Sequence, residues 1–548
     1  MVSRVKIRGF GLAFLLIICN CPSLALDSET YVGHLQLDNS TLIITEVLGN
    51  LDTVAWEITA AADGWLWFTQ QSGTVNRANP ATGEVQHLLT IPDVYYKKSF
   101  GLLGMALHPK FAQQPYVFVH YTYRKSAPGT EEMIRSRLVR YHFANGILAS
   151  PTVLLNEIPG AGYHNGSRIL ITPDEKLLLT TGDAGDPSAS QGLDTLRGKV
   201  LRMTLDGSTP PDNPFSKRSF PTSLIWSFGH RNSQGIALAA NGVLYTTDHG
   251  ANTDDEINII KPGGNYGWPK VAGFCDQSAE RKFCKQRSVT EPLIAWTPTI
   301  ATAGLIYFDH PSIPEWQHSL LVATMKGRSL RVLNLNEPGT AVTAEHIFFQ
   351  KRFGRIRDLA VDVEGTIYLS TTNTDWHPRY QPWMYDSLPT GGDRILRISA
   401  ANAAERKQLL KLQHPNPLVE DKQPMALAAE DWTFSADADD LTRGKKLYAT
   451  HCRSCHGPEG QGAVDLVPPL TGSDWVSGDR SRLIQVLLRG LSGPITVNNT
   501  TYDQEMPSFA SLSNKNIAAI LTYIRNNFGN NGNAILEGEV FEERKVVN

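Results

Sequence analysis

Cys452-Arg453-Ser454-Cys455-His456 constrains this chain more than any other stretch. Two cysteines and a histidine at C-x-x-C-H spacing are the attachment site of a c-type haem. Each thiol adds to one vinyl group of the porphyrin, and the adjoining histidine meets the iron. The rival readings are a dithiol redox pair or half of a zinc site. A zinc site usually needs a second pair nearby, and none follows. A one-electron carrier here implies that the residues before it produce electrons.

The 548 residues exceed one ordinary domain, so two or three are expected. A hydrophobic content of 41% fits a globular protein with a core. The net charge of −3 points to neither nucleic acid nor an acidic membrane surface. Arg4, Lys6 and Arg8, the apolar run from Gly11 to Cys19, and Ser23-Leu24-Ala25 read as an export signal over residues 1–25. That run is too short to span a bilayer comfortably, and no other segment is a membrane candidate. Periplasmic or secreted localisation is therefore expected. In an oxidising compartment Cys275 and Cys284, in one loop, are expected to pair.

Short apolar runs broken by Gly, Asp, Asn and Pro fill residues 42–400. One phrase recurs as Ala62-Asp63-Gly64-Trp65-Leu66-Trp67 and as Pro173-Asp174-Glu175-Lys176-Leu177-Leu178. It returns as Ala240-Asn241-Gly242-Val243-Leu244-Tyr245 and as Glu364-Gly365-Thr366-Ile367-Tyr368. Each is a tight turn feeding an alternating strand. Repeated hairpin units predict a mainly β fold, a propeller of about six blades with long insertions. Residues 401–436 read as a linker with one short helix. From 437 to 530 the period turns helical, with Ile517, Ile520, Leu521, Ile524 and Phe528 on one side of a helix capped by Ser513. Residues 531–548 are polar and are expected to be a flexible tail.

Three short helices around one covalent haem resemble a small class I cytochrome c, so a small all-α domain should follow the propeller. His456 is then the proximal ligand. Met506, in Glu505-Met506-Pro507 before the last of these helices, matches the distal ligand of that arrangement. A thioether ligand raises the potential.

The upstream region resembles the soluble quinoprotein glucose dehydrogenase family, nearest its aldose and sorbosone branches. The resemblance rests on ordered phrases: Gly101-Leu102-Leu103-Gly104, His164-Asn165-Gly166-Ser167-Arg168, Thr181-Gly182-Asp183 and Gly198-Lys199-Val200-Leu201-Arg202. Gly229-His230-Arg231-Asn232, Asp254-Asp255-Glu256-Ile257-Asn258 and Asn265-Tyr266-Gly267-Trp268-Pro269 complete it. The resemblance implies a six-bladed propeller with pyrroloquinoline quinone (PQQ) and calcium. It implies His164 as general base, Asp183 as its orienting carboxylate and Arg231 as the group on the quinone oxygens. Lys326, Arg355 and Arg357 match the clamps on the quinone carboxylates, and Asn232 and Thr299 match further contacts. The backbone carbonyls of Gly250 and Ala251 match the calcium ligands. Three departures stand out: Lys97-Lys98-Ser99-Phe100 replaces a customary glutamine, Ala251 a proline, and Tyr163 a polar residue.

The expected protein is an exported sugar dehydrogenase that passes electrons from PQQ to its own haem. From there they go to a soluble cytochrome, a copper protein or a terminal oxidase. The alternatives are sorbosone or another aldehyde or alcohol as substrate, or a binding propeller without catalysis.

Overall fold

The computed structural model describes residues 30–125, 133–251, 253–380, 385, 388–410, 440–530, 532 and 534–547. The export signal and most of the linker lie outside the described residues.

Among the described residues, six antiparallel sheets of four or five strands follow one another. The first is Ala55–Ala60, Leu66–Gln70, Thr74–Ala78 and Val85–Thr90; the second runs from Leu102–Leu107 to Ile147–Pro159. The third runs from Ile169–Ile171 to Ile225–Phe228, the fourth from Ser233–Leu238 to Ile294–Trp296, and the fifth from Thr302–Phe308 to Val342–Phe348. The sixth joins Ile356–Val361, Ile367–Thr371 and Asp393–Ala400 to Thr41–Leu51 and Tyr31–Gln36. Ile44 opposite Ile398 fixes that register and closes the ring between distant parts of the chain. The propeller thus begins near residue 31 rather than 42, because Tyr31–Gln36 pairs with Thr41–Leu51 as the outer strand of the closing sheet.

All four recurring phrases enter the second strand of a blade. In each, the turn residue donates its N–H to the carbonyl three residues back: Gly64 to Ala61, Glu175 to Thr172, Gly242 to Ala239 and Gly365 to Asp362. That residue always has positive φ, between 57° and 86°. This conformation favours glycine, which explains why three of the four are Gly. Apolar clusters lie between neighbouring sheets, such as Trp316, Leu330 and Phe353 against Ile367 and Ile398. Below the cavity described next, Arg168 bonds Glu57 at 2.8 Å and Asp358 at 2.7 Å, tying three blades together across the centre.

The second domain packs helices Asp440–His451, Arg480–Arg489 and Asn514–Arg525 around Leu447, Leu483, Leu487, Ile520 and Leu521. Ser513 caps the last of these, as its sequence predicts. A Cβ at Gly444 would lie 2.2 Å from the Ala519 carbonyl, so glycine allows the first and third helices to cross closely. The expected loose tail is instead the helix Glu537–Val547. Val540 is fully buried, and Arg480 pairs with Glu539. Apolar residues at 535 and 540, too sparse for a clear helical period, anchor it. The linker's helix is Ala403–Leu409, capped by Asn402.

Candidate active site

His164 sits on the segment leading into the third blade, and Asp183 follows that blade's second strand. The His164 Nδ1–H donates to Asp183 Oδ1 at 2.8 Å. The other Asp183 oxygen accepts from the Trp268 indole at 3.0 Å, and the Gly185 N–H adds a bond at 3.1 Å. Burial works to raise the Asp183 carboxyl, but His164 and then Arg231 outweigh it and hold it below the ordinary range. A carboxylate fixed on Nδ1 leaves Nε2 as the lone-pair nitrogen.

His164 opens into a cavity of about 270 Å³ whose lining includes Arg231, Asn232, Thr299, Lys326, Arg355 and Arg357. The expected residues are therefore brought together from four blades and their loops. Lys326 Nζ donates to Thr299 at 2.9 Å. Arg355 bonds Asp375 at 2.9 Å and also the Tyr385 hydroxyl. Arg357 donates to Gln234 Oε1 at 2.6 Å and lies 4.3 Å from the Trp56 ring centroid. Burial, reinforced by Arg168, pushes Arg357 down to about 9. Arg357 Nε and Arg231 Nε are buried without hydrogen-bond partners among the described residues. Buried donors beside clustered cations fit an anionic ligand, and a tricarboxylate quinone has that chemistry.

Gly250 and Ala251 line the same cavity. The Gly250 carbonyl accepts from Arg231 at 3.1 Å, and its N–H donates to Asp255 at 2.8 Å. Asp255 also accepts from Ile300 and Ala301, so one buried carboxylate shapes the loop that would offer oxygens to calcium. Its phrase was visible in the sequence, but its role was not. Trp56 and Gln71 were missed, and Gln234 was given no role. Gln71 lines the cavity and donates to the carbonyls of Lys98 at 2.9 Å and Phe100 at 3.0 Å. A glutamine thus approaches the departing Lys97–Phe100 segment from another strand.

In the helical domain His456 is buried, and its Nδ1–H donates to the Pro468 carbonyl at 3.0 Å. That bond leaves Nε2 for iron. Burial pushes the Cys452 thiol up to about 12, opposite to what a redox dithiol needs. Met506 packs against the cluster containing Cys452, its backbone paired with Leu491 at 2.8 and 2.9 Å. The Cys275–Cys284 disulfide is present, with S–S 2.00 Å.

The two sites are not separate. Ser454, Cys455 and Gln504 line the propeller cavity alongside the arginines. Glu505 Oε2 lies 3.8 Å from His164 Nδ1. Nothing in the sequence signals this meeting.

The glucose/sorbosone dehydrogenase family model matches residues 52–377, and the cytochrome c model matches residues 441–528. The chain is 30% identical over 315 residues to the aldose sugar dehydrogenase of Escherichia coli, covering 55% of this chain and 82% of that protein. It is 42% identical over 90 residues to cytochrome c-552 of Thermus thermophilus, 16% of this chain and 68% of that one. The PQQ-bound aldose sugar dehydrogenase of Streptomyces coelicolor superposes with a TM-score of 0.54 at 30% identity, over 66% of this chain and 98% of that one. The chain therefore belongs to the glucose/sorbosone dehydrogenase family, with a cytochrome c domain after its propeller.

Proposed function

We propose that this protein is an exported quinohaemoprotein that oxidises the hemiacetal hydroxyl of an aldose and relays the electrons through its own haem. The observation that supports it best is the His164–Asp183 pair facing a buried excess of cations in a cavity that Cys455 also lines. When bound, PQQ supplies a hydride acceptor, calcium a Lewis acid on the quinone, and haem c a one-electron relay.

His164 Nε2 takes the hydroxyl proton while Asp183 steadies the imidazolium that forms. Lys326, Arg355 and Arg357 would hold the quinone carboxylates, Arg231 the quinone oxygens, and Asn232 and Thr299 would supply further contacts. Gly250 and Ala251 offer carbonyl oxygens to calcium. Cys452 and Cys455 would hold the haem, and His456 and Met506 would be the ligands to its iron. A soluble cytochrome, a copper protein or a terminal oxidase receives the electrons. Among the described residues no helix is long and apolar enough to cross a membrane.

The test uses haem-loaded full-length protein with calcium, PQQ and a panel of aldoses, sorbosone and simple alcohols. Ferrous haem should appear only when both PQQ and an aldose are present. If dithionite reduces the haem and no aldose does, the proposal is overturned.

A further inference from the structure

The cytochrome domain packs against the propeller beside the cavity. Trp376 of the propeller packs against Ala463, Leu466 and Val467 of the cytochrome, with Cys455 beside them. Asp503 and Asp465 act on the half-buried Lys98 from across the boundary. Gln504 and Cys455 form part of the cavity wall. Together these make an apolar contact flanked by complementary charge.

The cavity holds about 270 Å³. That is slightly below the range of ordinary ligand pockets. A quinone bound there would leave little of this volume for a sugar. The contact is also imperfect. Glu505 Oε2, 3.8 Å from His164 Nδ1, is buried and has no hydrogen-bond partner among the described residues. A buried orphan oxygen costs free energy that separation would restore through water. The docked arrangement is thus close enough to bring the haem attachment to the quinone site, and poor enough to open.

We propose that the cytochrome domain is a reversible lid on the sugar-oxidising cavity: it lifts to admit sugar and docks through Trp376, Lys98, Leu466 and Asp503 to receive electrons, so the two events alternate. This rests on the functional reading above.

The test is a covalent lock on the full-length holoprotein carrying Lys98→Cys and Asp503→Cys. Once Cys452 and Cys455 hold haem and Cys275 is paired with Cys284, the new thiols are the free ones among the described residues. A short bis-maleimide should join them, and the singly substituted chains treated alike serve as controls. Linking should lower sugar oxidation, read with a small dye acceptor, at least ten-fold, while dithionite still reduces the haem fully. Amide hydrogens of residues 162–166 should exchange more slowly in the linked protein than in the controls, a readout independent of turnover. Sugar oxidation at the control rate by the linked protein, equal exchange, or failure of the pair to link would each overturn the lid. Controls that oxidise no sugar would instead refute the functional reading, with exchange still deciding the docking.

Discussion

The haem attachment and the proposed quinone site meet at one cavity, through Cys455, but are written differently in the chain. Cys452, Cys455 and His456 lie within one short helical turn, because covalent bonds to two vinyls and an iron fix their spacing. The residues proposed for the quinone site run from His164 to Arg357, each supplied at a blade end or loop. A ring of similar sheets can present side chains at its centre from widely separated positions, so no short spacing marks that site. A site held by bonds is local; a site held by charge and shape is dispersed.

The sharpest way to break that comparison is to remove one cradle and read the other. Cys452→Ser with Cys455→Ser should abolish covalent haem, with sugar oxidation on a dye acceptor kept within about two-fold. His164→Ala should do the reverse: a loss of roughly 100- to 10,000-fold in kcat, typical of a missing general base, with the haem spectrum unchanged. If the double serine variant also loses dye-linked oxidation, the propeller site depends on the haem, and the two cradles are one.

A smaller effect is expected at a single clamp. Arg357→Met removes one charge-assisted contact, about 1.5–3 kcal/mol, and should weaken PQQ binding roughly 10- to 150-fold in a fluorescence titration. Unchanged affinity would remove Arg357 from the clamp.

The smallest concerns acid. Asp183 is held below the ordinary aspartate range, so its stabilisation is complete above that range and is lost as pH falls through the lowered value. The Tm of Asp183→Asn should lie below that of the unsubstituted protein at neutral pH, and the gap should close below about pH 4. A gap constant with pH would mean that the Asp183 charge does not stabilise the fold.

Much of the propeller was legible because its turn is a local device. Gly64, Gly242 and Gly365 announce a positive-φ hairpin wherever they occur, and Glu175 shows that the same turn can form without glycine. The count of six could be estimated but not read, since Tyr31–Gln36 and Thr41–Leu51 finish a blade begun after residue 355. The C-terminal helix was hidden for a related reason: Val540 and Glu539 find their partners on Arg480–Arg489 and Asn514–Arg525 rather than in a local pattern.

The sequence alone determined the haem attachment, the hairpin repeat and the order of the dehydrogenase phrases, because bond lengths, backbone sterics and strand alternation act over a few residues. Only the tertiary structure decided that Gln71 reaches the Lys97–Phe100 segment, that Trp56 lies against Arg357, and that Glu505 lies near His164 while Cys455 lines the same cavity as Arg355 and Arg357. Those pairings join positions far apart in the chain, and their physical basis is a complementarity of surfaces that exists only once both domains are folded.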